Sequence, residues 1–181
     1  QTFRSFFNKS NETQYNSFKT RLKKFLNSEN IILTSQGRVA AYNIFKVLIK
    51  KNKNEILISP YTLPEVINAI IYAGAKPVYV DIDPNTGLPD SKKLLRLINT
   101  KTAGLVITHL YSNSNNIISF KKKFFNKIII VEDTAINLGS KLDDGQKLGT
   151  LFDYGFYSFG IMKNLCAFNG GLIYSKNKNT P

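Results

Sequence analysis

The sequence predicts an α/β fold in three layers, α/β/α, with a mainly parallel sheet covered by helices on both faces. Short apolar runs without polar alternation recur along the chain, and stretches with helical spacing of apolar residues separate them. Strands that are apolar on both faces are typical of a parallel sheet buried between helices. The 181 residues, 43% of them hydrophobic, suffice for one domain with its own core.

The first elements are helical. Residues 11–28 carry apolar and aromatic side chains at helical spacing with lysines between them, which predicts an amphipathic helix. A short strand is expected at residues 31–33, and a helix from Gly37 to about Lys50. We therefore divide the chain into an N-terminal helical segment, residues 1–30, and a main domain, residues 31–181.

Strands and helices then alternate. The predicted strands are residues 55–59, 77–81, 105–109 and 127–131, the predicted helices are 64–73, 90–98 and 117–125, and two further short strands follow at 155–159 and 171–174. In open α/β sheets, ligands bind at the carboxyl ends of the strands. Four polar groups follow strand ends, and we expect the site where they meet: Ser35-Gln36-Gly37, Ser59-Pro60-Tyr61, His109 and Asp133.

Two charged residues suggest the chemistry. Asp133 ends an apolar strand, and Lys163 follows a strand-like run and precedes Gly170-Gly171. Pyridoxal 5'-phosphate (PLP) needs an amine to form a Schiff base with its aldehyde, and an anion that keeps its pyridine nitrogen protonated. Taken singly, Asp133 is equally typical of a loop carboxylate or helix cap, and Lys163 of a surface lysine. The apolar neighbours of Lys163 are expected to desolvate its amine: Phe156, Tyr157, Phe159, Ile161, Met162 and Leu165.

A phosphate would fit the start of the helix at Gly37-Arg38, because free backbone N–H groups and the helix dipole favour an anion there. The Ser158 hydroxyl could add a hydrogen bond, although a glycine at a helix start is often only a permissive turn. His109 is expected to be a hydrogen-bonded structural residue, with contact to cofactor or substrate as the alternative. Tyr61 and Tyr111 occupy similar positions.

The composition limits which binding partners and which cellular compartment we expect. The net charge is +13, but the lysines are spread along the chain without a recognised nucleic-acid motif, so we expect neither a nucleic-acid nor a membrane partner. Cys166 and His109 are the only residues of their types, which disfavours a disulfide or a metal site and fits a cytoplasmic protein. The first residue is Gln1 and no leader precedes it, so we interpret the chain as a piece of a longer protein.

An ordered set of motifs resembles the DegT/StrS-type aminotransferases, fold-type I PLP enzymes that act mostly on keto sugars attached to nucleotides. The resemblance runs from about Ser35 to Lys176. Its segments are residues 37–41, 61–70, 73–78, 80–84, 108–111, 132–135, 149–150, 157–160, 163–165 and 170–171.

The resemblance implies a role for each site residue. Lys163 matches the Schiff-base lysine, Asp133 the aspartate at the pyridine nitrogen, and Ser158 with the Gly37-Arg38 backbone the phosphate cradle. It further implies transfer of an amino group, expected from glutamate, to a nucleotide-linked keto sugar in aminosugar or cell-surface polysaccharide biosynthesis. The full-length protein should be a homodimer with a C-terminal small domain that residues 31–181 do not include.

Three positions depart from the family pattern. Ile136 stands where members often have Gln, Leu138 where many have His, and Leu63 where many stack an aromatic ring on the cofactor. Two alternatives therefore stay open. One is another fold-type I PLP enzyme, such as a lyase or aldolase. The other is a truncated, non-catalytic remnant or basic binding module.

Overall fold

A mixed sheet of seven strands forms the centre of the described part of the chain. The computed structural model describes residues 9–110, 113–124 and 126–177. The strand order is β1-β7-β6-β5-β4-β2-β3. The strands are β1 Ile31–Thr34, β2 Glu55–Ile58, β3 Lys76–Tyr79, β4 Thr102–Thr108, β5 Ile130–Asp133, β6 Tyr154–Ser158 and β7 Gly171–Ser175.

Five helices accompany the sheet in the described chain: α1 Lys9–Leu26, α2 Gly37–Leu48, α3 Pro64–Ala73, α4 Ser91–Leu97 and α5 Ser114–Phe124. Local residues explain their ends. Pro64 begins α3, where its missing N–H costs nothing, and Gly74 ends it with a φ of 93°. The carboxylate of Asp90 caps α4 by accepting hydrogen bonds from the backbone of Lys92 and Lys93.

Helices cover both faces of the sheet, which confirms the predicted α/β/α layers. On one face α2 and α3 pack against the sheet through side chains such as Phe45 and Ile70. On the other face α4 and α5 do so through Leu94 and Phe120. The helix predicted at the N-terminus packs through Leu22 and Leu26 in a third apolar cluster, against side chains of β6 and β7.

The strand bounds differ most from the predicted ones at β4 and β5. β4 begins at residue 102 rather than 105, and β5 spans Ile130–Asp133 rather than residues 127–131. The apolar run alone put the predicted strand too early in the chain. In the structure, the backbone of Glu132 and Asp133 also pairs with β4 and β6. The two acidic residues therefore belong to the strand itself, with side chains on opposite faces of the sheet.

One edge of the sheet gathers the carboxyl ends of six strands. β2, β3, β4, β5 and β6 run parallel, while β7 is antiparallel to both β6 and β1. Two reversals restore the direction, so β1 points the same way as β6. The predicted meeting of strand ends is thus confirmed, and we call this side the carboxyl edge. Within the described chain, no helix combines the length and apolarity needed to cross a bilayer.

Candidate functional site

Two adjoining cavities lie at the carboxyl edge. The smaller has a volume of about 240 Å³ and includes Gly37, Arg38 and Ser158 in its lining. The larger measures about 380 Å³ and is lined in part by Tyr61, His109 and Ile136. Both cavities share four residues, which form the wall between them: Leu63, Asp133, Ala135 and Lys163.

Asp133 is held inside the sheet at the end of β5. Its backbone pairs with Thr108 of β4 and Phe156 of β6, and only 4% of the residue is exposed. Its Oδ1 accepts a hydrogen bond from the Ala135 N–H at 3.1 Å. Burial raises the pKa of the carboxyl from 3.8 to about 6, against the opposing effects of the Ala135 N–H and of the charges of His109 and Lys163. An ionised Asp133 is therefore costly unless more positive charge comes close.

Lys163 lies in the loop that follows β6, half-buried, and lines both cavities. Its N–H donates to the Gly160 carbonyl at 3.3 Å, and its charge acts on Asp133. The expectation that the apolar residues beside it enclose the amine is wrong for three of them. Ile161, Met162 and Leu165 are 67%, 92% and 36% exposed, and the chain turns here with Met162 at a φ of 65°.

A close approach joins the start of α2 to the end of β6. A Cβ atom at Gly37 would lie 2.7 Å from the Ser158 Cβ, so a larger residue would push the helix away. Gln36 caps the helix without a side-chain hydrogen bond. Ser158 Oγ accepts from the Gly160 N–H at 3.3 Å. The smaller cavity thus combines a helix N-terminus with a hydroxyl, an arrangement suited to a phosphate.

Glu132 holds His109 and a neighbouring loop in place through hydrogen bonds. The sequence analysis missed it as a functional residue. It is 0% exposed. Its Oε1 accepts from the Gly149 N–H at 2.8 Å, and its Oε2 from the N–H groups of Leu151 and Phe152 at 2.7 and 3.0 Å. The fourth contact is His109 Nε2, 2.9 Å from Oε1. A second carboxylate within an apolar strand, beside Asp133, was the available signal, because such a buried group must find several donors.

His109 has the structural hydrogen bond that we expected, and it also lines the larger cavity. Only 3% of it is exposed, and its Nδ1 has no hydrogen-bond partner among the described residues. Tyr61 lines the same cavity and is 51% exposed. Tyr111, named beside it in the sequence analysis, lies outside the described residues.

The loop bound by Glu132 depends on Gly149, which adopts a φ of 88°. A Cβ atom there would lie 2.3 Å from the Tyr157 hydroxyl and 2.7 Å from Thr134 Oγ1. That hydroxyl donates to the Leu148 carbonyl at 2.6 Å, and burial raises its pKa, so it stays protonated. The loop is therefore fixed beneath the strand ends.

Two of the positions that depart from the family pattern, Leu63 and Ile136, face the cavities with apolar side chains that are 51% and 40% exposed. Neither side chain can donate or accept a hydrogen bond. Within residues 9–110, 113–124 and 126–177, no group of three or more His, Cys, Asp or Glu residues could hold a metal ion. The polar groups that face the cavities instead suit an anionic ligand that carries a protonated nitrogen and an electrophilic carbon.

Comparisons with known proteins agree with the resemblance seen in the sequence. The sequence model of the DegT/DnrJ/EryC1/StrS aminotransferase family matches residues 5–180. GDP-perosamine synthase of Vibrio cholerae is 26% identical over 161 residues, which are 88% of this chain and 44% of the relative. The dTDP-4-amino-4,6-dideoxy-D-glucose transaminase of Shigella dysenteriae is 29% identical over 171 residues, 93% of this chain and 45% of the relative.

A solved structure supports the fold. The PLP form of a candidate sugar aminotransferase from Streptococcus pneumoniae superposes with a TM-score of 0.77 and 26% identity, covering 90% of this chain and 45% of the other. The chain thus spans less than half the length of these relatives. The family match and the shared fold-type I architecture together show that the chain belongs to the DegT/DnrJ/EryC1/StrS aminotransferase family.

Proposed function

We propose that the chain is the cofactor-binding part of a PLP-dependent aminotransferase, which moves an amino group from an amino acid, glutamate, to a nucleotide-linked keto sugar in aminosugar or cell-surface polysaccharide biosynthesis. One observation carries the proposal: Lys163 and Asp133 line the same two cavities at the carboxyl edge. The relatives support the substrate class, since their names describe amino sugars linked to GDP and dTDP.

The residues present fit PLP. Asp133 is buried with a pKa raised to about 6, and a protonated pyridine nitrogen would supply the positive charge that favours its ionised form. The smaller cavity has the start of α2 and the Ser158 hydroxyl for a phosphate. When bound, PLP supplies an aldehyde that an amine attacks and a ring that withdraws electrons from the bound carbon.

Each residue then has a distinct task. Asp133 would hold the ring nitrogen protonated. The Nζ of Lys163 would hold the cofactor and, once free, would move a proton from the donor's α-carbon to the cofactor's aldehyde carbon, as base and then acid. Gly37, Arg38 and Ser158 bind the phosphate, and Leu63, which lines both cavities, excludes water from the reacting groups.

The chain spans less than half the length of these relatives, and we expect the complete site to include residues beyond it. Large apolar side chains near Lys163 are exposed, among them Met162 at 92% and Phe168 at 75%. Such exposure supports our prediction that the full-length protein is a homodimer whose partner subunit covers this rim. The cytoplasmic location also stays a prediction, which rests on Cys166 as the single cysteine.

A labelling experiment tests the cofactor assignment. The purified chain is mixed with PLP, its absorbance is recorded, and borohydride then fixes any lysine adduct for peptide mapping. We expect the label on Lys163, loss of the absorbance band in Lys163→Ala, and an unchanged band in Lys122→Ala, which removes an exposed lysine on α5. Failure of the wild-type chain to bind PLP, or a label spread over surface lysines, would contradict the proposal.

The reaction itself is tested on the full-length protein with glutamate and nucleotide-linked keto sugars. An amino sugar together with 2-oxoglutarate is the expected product pair. Cleavage of a carbon–carbon bond would support lyase or aldolase chemistry instead. Binding of PLP without turnover would favour a non-catalytic remnant.

A further inference from the structure

His109 has one ring nitrogen that is anchored and one that is not. Glu132 accepts three backbone N–H groups in addition to His109 Nε2, and an ionised carboxylate only accepts. The Nε2 atom therefore carries a proton and donates. Among the described residues Nδ1 has no partner, although the residue is 3% exposed. A buried nitrogen without a partner is costly, so it indicates a contact that the isolated fold does not provide.

The position of His109 identifies that contact. The residue lines the larger cavity together with Asp133 and Lys163. Its backbone N–H donates to the Asp133 carbonyl at 3.1 Å, which fixes the two residues side by side at the ends of β4 and β5. A positive charge on the imidazole favours the ionised form of the Asp133 carboxyl.

Charged groups from other elements also face Asp133. Arg38 of α2 and Glu65 of α3 line the smaller cavity with it, and Lys163 lines both cavities. Arg38 and Glu65 oppose each other in sign. Glu132 lies on the other face of β5, where its charge is taken up by four donors. The imidazole that follows β4 is the one buried group beside Asp133 in the described chain that can carry a positive charge.

We propose that His109 is a positioning residue: Glu132 anchors its Nε2–H, and in the cofactor complex its Nδ1–H donates to the Asp133 carboxyl, keeping that carboxyl ionised and oriented toward the ring nitrogen of the cofactor. The inference rests on the proposed function. Glu132 and His109 thus form a fixed support, while Asp133 meets the ligand. The imidazole then carries a proton on each nitrogen, and its positive charge lies between two carboxylates.

A pair of cofactors tests this role by equilibrium binding, without any assay of turnover. One is PLP, and the other is its analogue with a C–H group in place of the ring nitrogen. In His109→Gln the amide can still donate to Glu132 but carries no charge. We expect the affinity for PLP to fall about tenfold, equivalent to one pK unit, and the affinity for the analogue to stay unchanged. Equal losses for both ligands would show a merely structural role and overturn the inference.

Wild-type protein gives a second, independent measurement. In the PLP complex at pH 7, ¹⁵N NMR of His109 should show both ring nitrogens protonated, and the Nδ1 resonance should differ between the PLP and analogue complexes. A bare Nδ1 in the PLP complex, or an Nδ1 resonance that is the same with both ligands, would refute the proposal even if the variant did not fold. A wild-type chain that binds neither ligand would instead contradict the proposed function.

Discussion

The two edges of the sheet show that the volume of a cavity and the ionisable residues buried beside it are separate properties. The edge opposite the site has the larger groove, about 570 Å³, lined by apolar residues such as Ile32 and Val47. Its charged residues, Glu29 and Lys46, are exposed to water. The carboxyl edge has smaller cavities but holds the buried ionisable trio His109, Glu132 and Asp133. Because burying charge is costly, the second arrangement indicates function more strongly than volume does.

The largest effect is expected from Gly149→Ala, which would disturb the packing of the loop bound by Glu132 at the carboxyl edge. The new methyl group would overlap the Tyr157 hydroxyl and Thr134 Oγ1, and alanine would be strained at a φ of 88°. We expect a loss of roughly 4 kcal/mol in the free energy of unfolding, the sum of overpacking and backbone strain. Urea titration of the folded chain measures it.

Gly145→Ala is the matched control for this variant. Gly145 has a similar φ of 85°, but a Cβ atom there would meet no other atom within 4 Å, so only the backbone strain remains. We expect a loss of about 1 kcal/mol. Equal losses for the two variants would show that packing around the Glu132 loop contributes nothing.

The second prediction concerns Asp133→Asn in the absence of cofactor. The folded carboxyl has a pKa near 6 and the ordinary value is 3.8, so the folded state binds the proton more tightly than the unfolded state. Ionisation of Asp133 therefore lowers stability as pH rises from about 4 to 6. Above that window, Asp133→Asn should raise the free energy of unfolding by up to about 3 kcal/mol, with no gain near pH 4.

Asp83→Asn controls for the local hydrogen bond in that experiment. Asp83 accepts from the backbone N–H two residues on, as Asp133 does, but it is only half-buried. We expect little change in stability for Asp83→Asn at pH 8. If Asp133→Asn were destabilising at pH 8, burial of the charge would not be the main influence of Asp133 on stability.

The smallest effect is expected at the opposite edge. Val47 lines the large groove and is 43% exposed, so Val47→Ala should change the free energy of unfolding by less than about 0.5 kcal/mol. Binding of PLP should not change at all. Weaker PLP binding in Val47→Ala, measured by absorbance titration, would mean that the groove at the opposite edge affects cofactor binding at the carboxyl edge.

Most of the fold could be predicted from the sequence because apolar periodicity and turn residues act locally. The helix from Pro64 to Ala73 is predicted at its true bounds by its proline and by the following Gly74. The placement of β7 between β1 and β6 could not be predicted, because strand order depends on pairing between residues more than 100 positions apart, as for Ile31 and Tyr174. The division at residue 30 also stays a prediction.

The candidate site was only partly accessible from the sequence. Asp133, Ser158 and Lys163 could be named because they follow strand-like runs in a recognisable order. The anchoring role of Glu132 could not, since its donors come from a loop 17 to 20 residues away that has no periodic pattern. Packing in three dimensions also decides that Ile161 and Met162 turn outward, which their hydrophobicity alone predicts wrongly.

Carboxyl ¹³C NMR of Asp133 addresses most directly the claim that this buried acid meets the protonated ring of the cofactor held by Lys163. Without PLP the carboxyl should titrate near pH 6. With PLP bound, we predict that its pKa falls below the ordinary value of 3.8, because a positive ring nitrogen favours the ionised form. A midpoint that stays near 6 in the PLP complex would contradict the account.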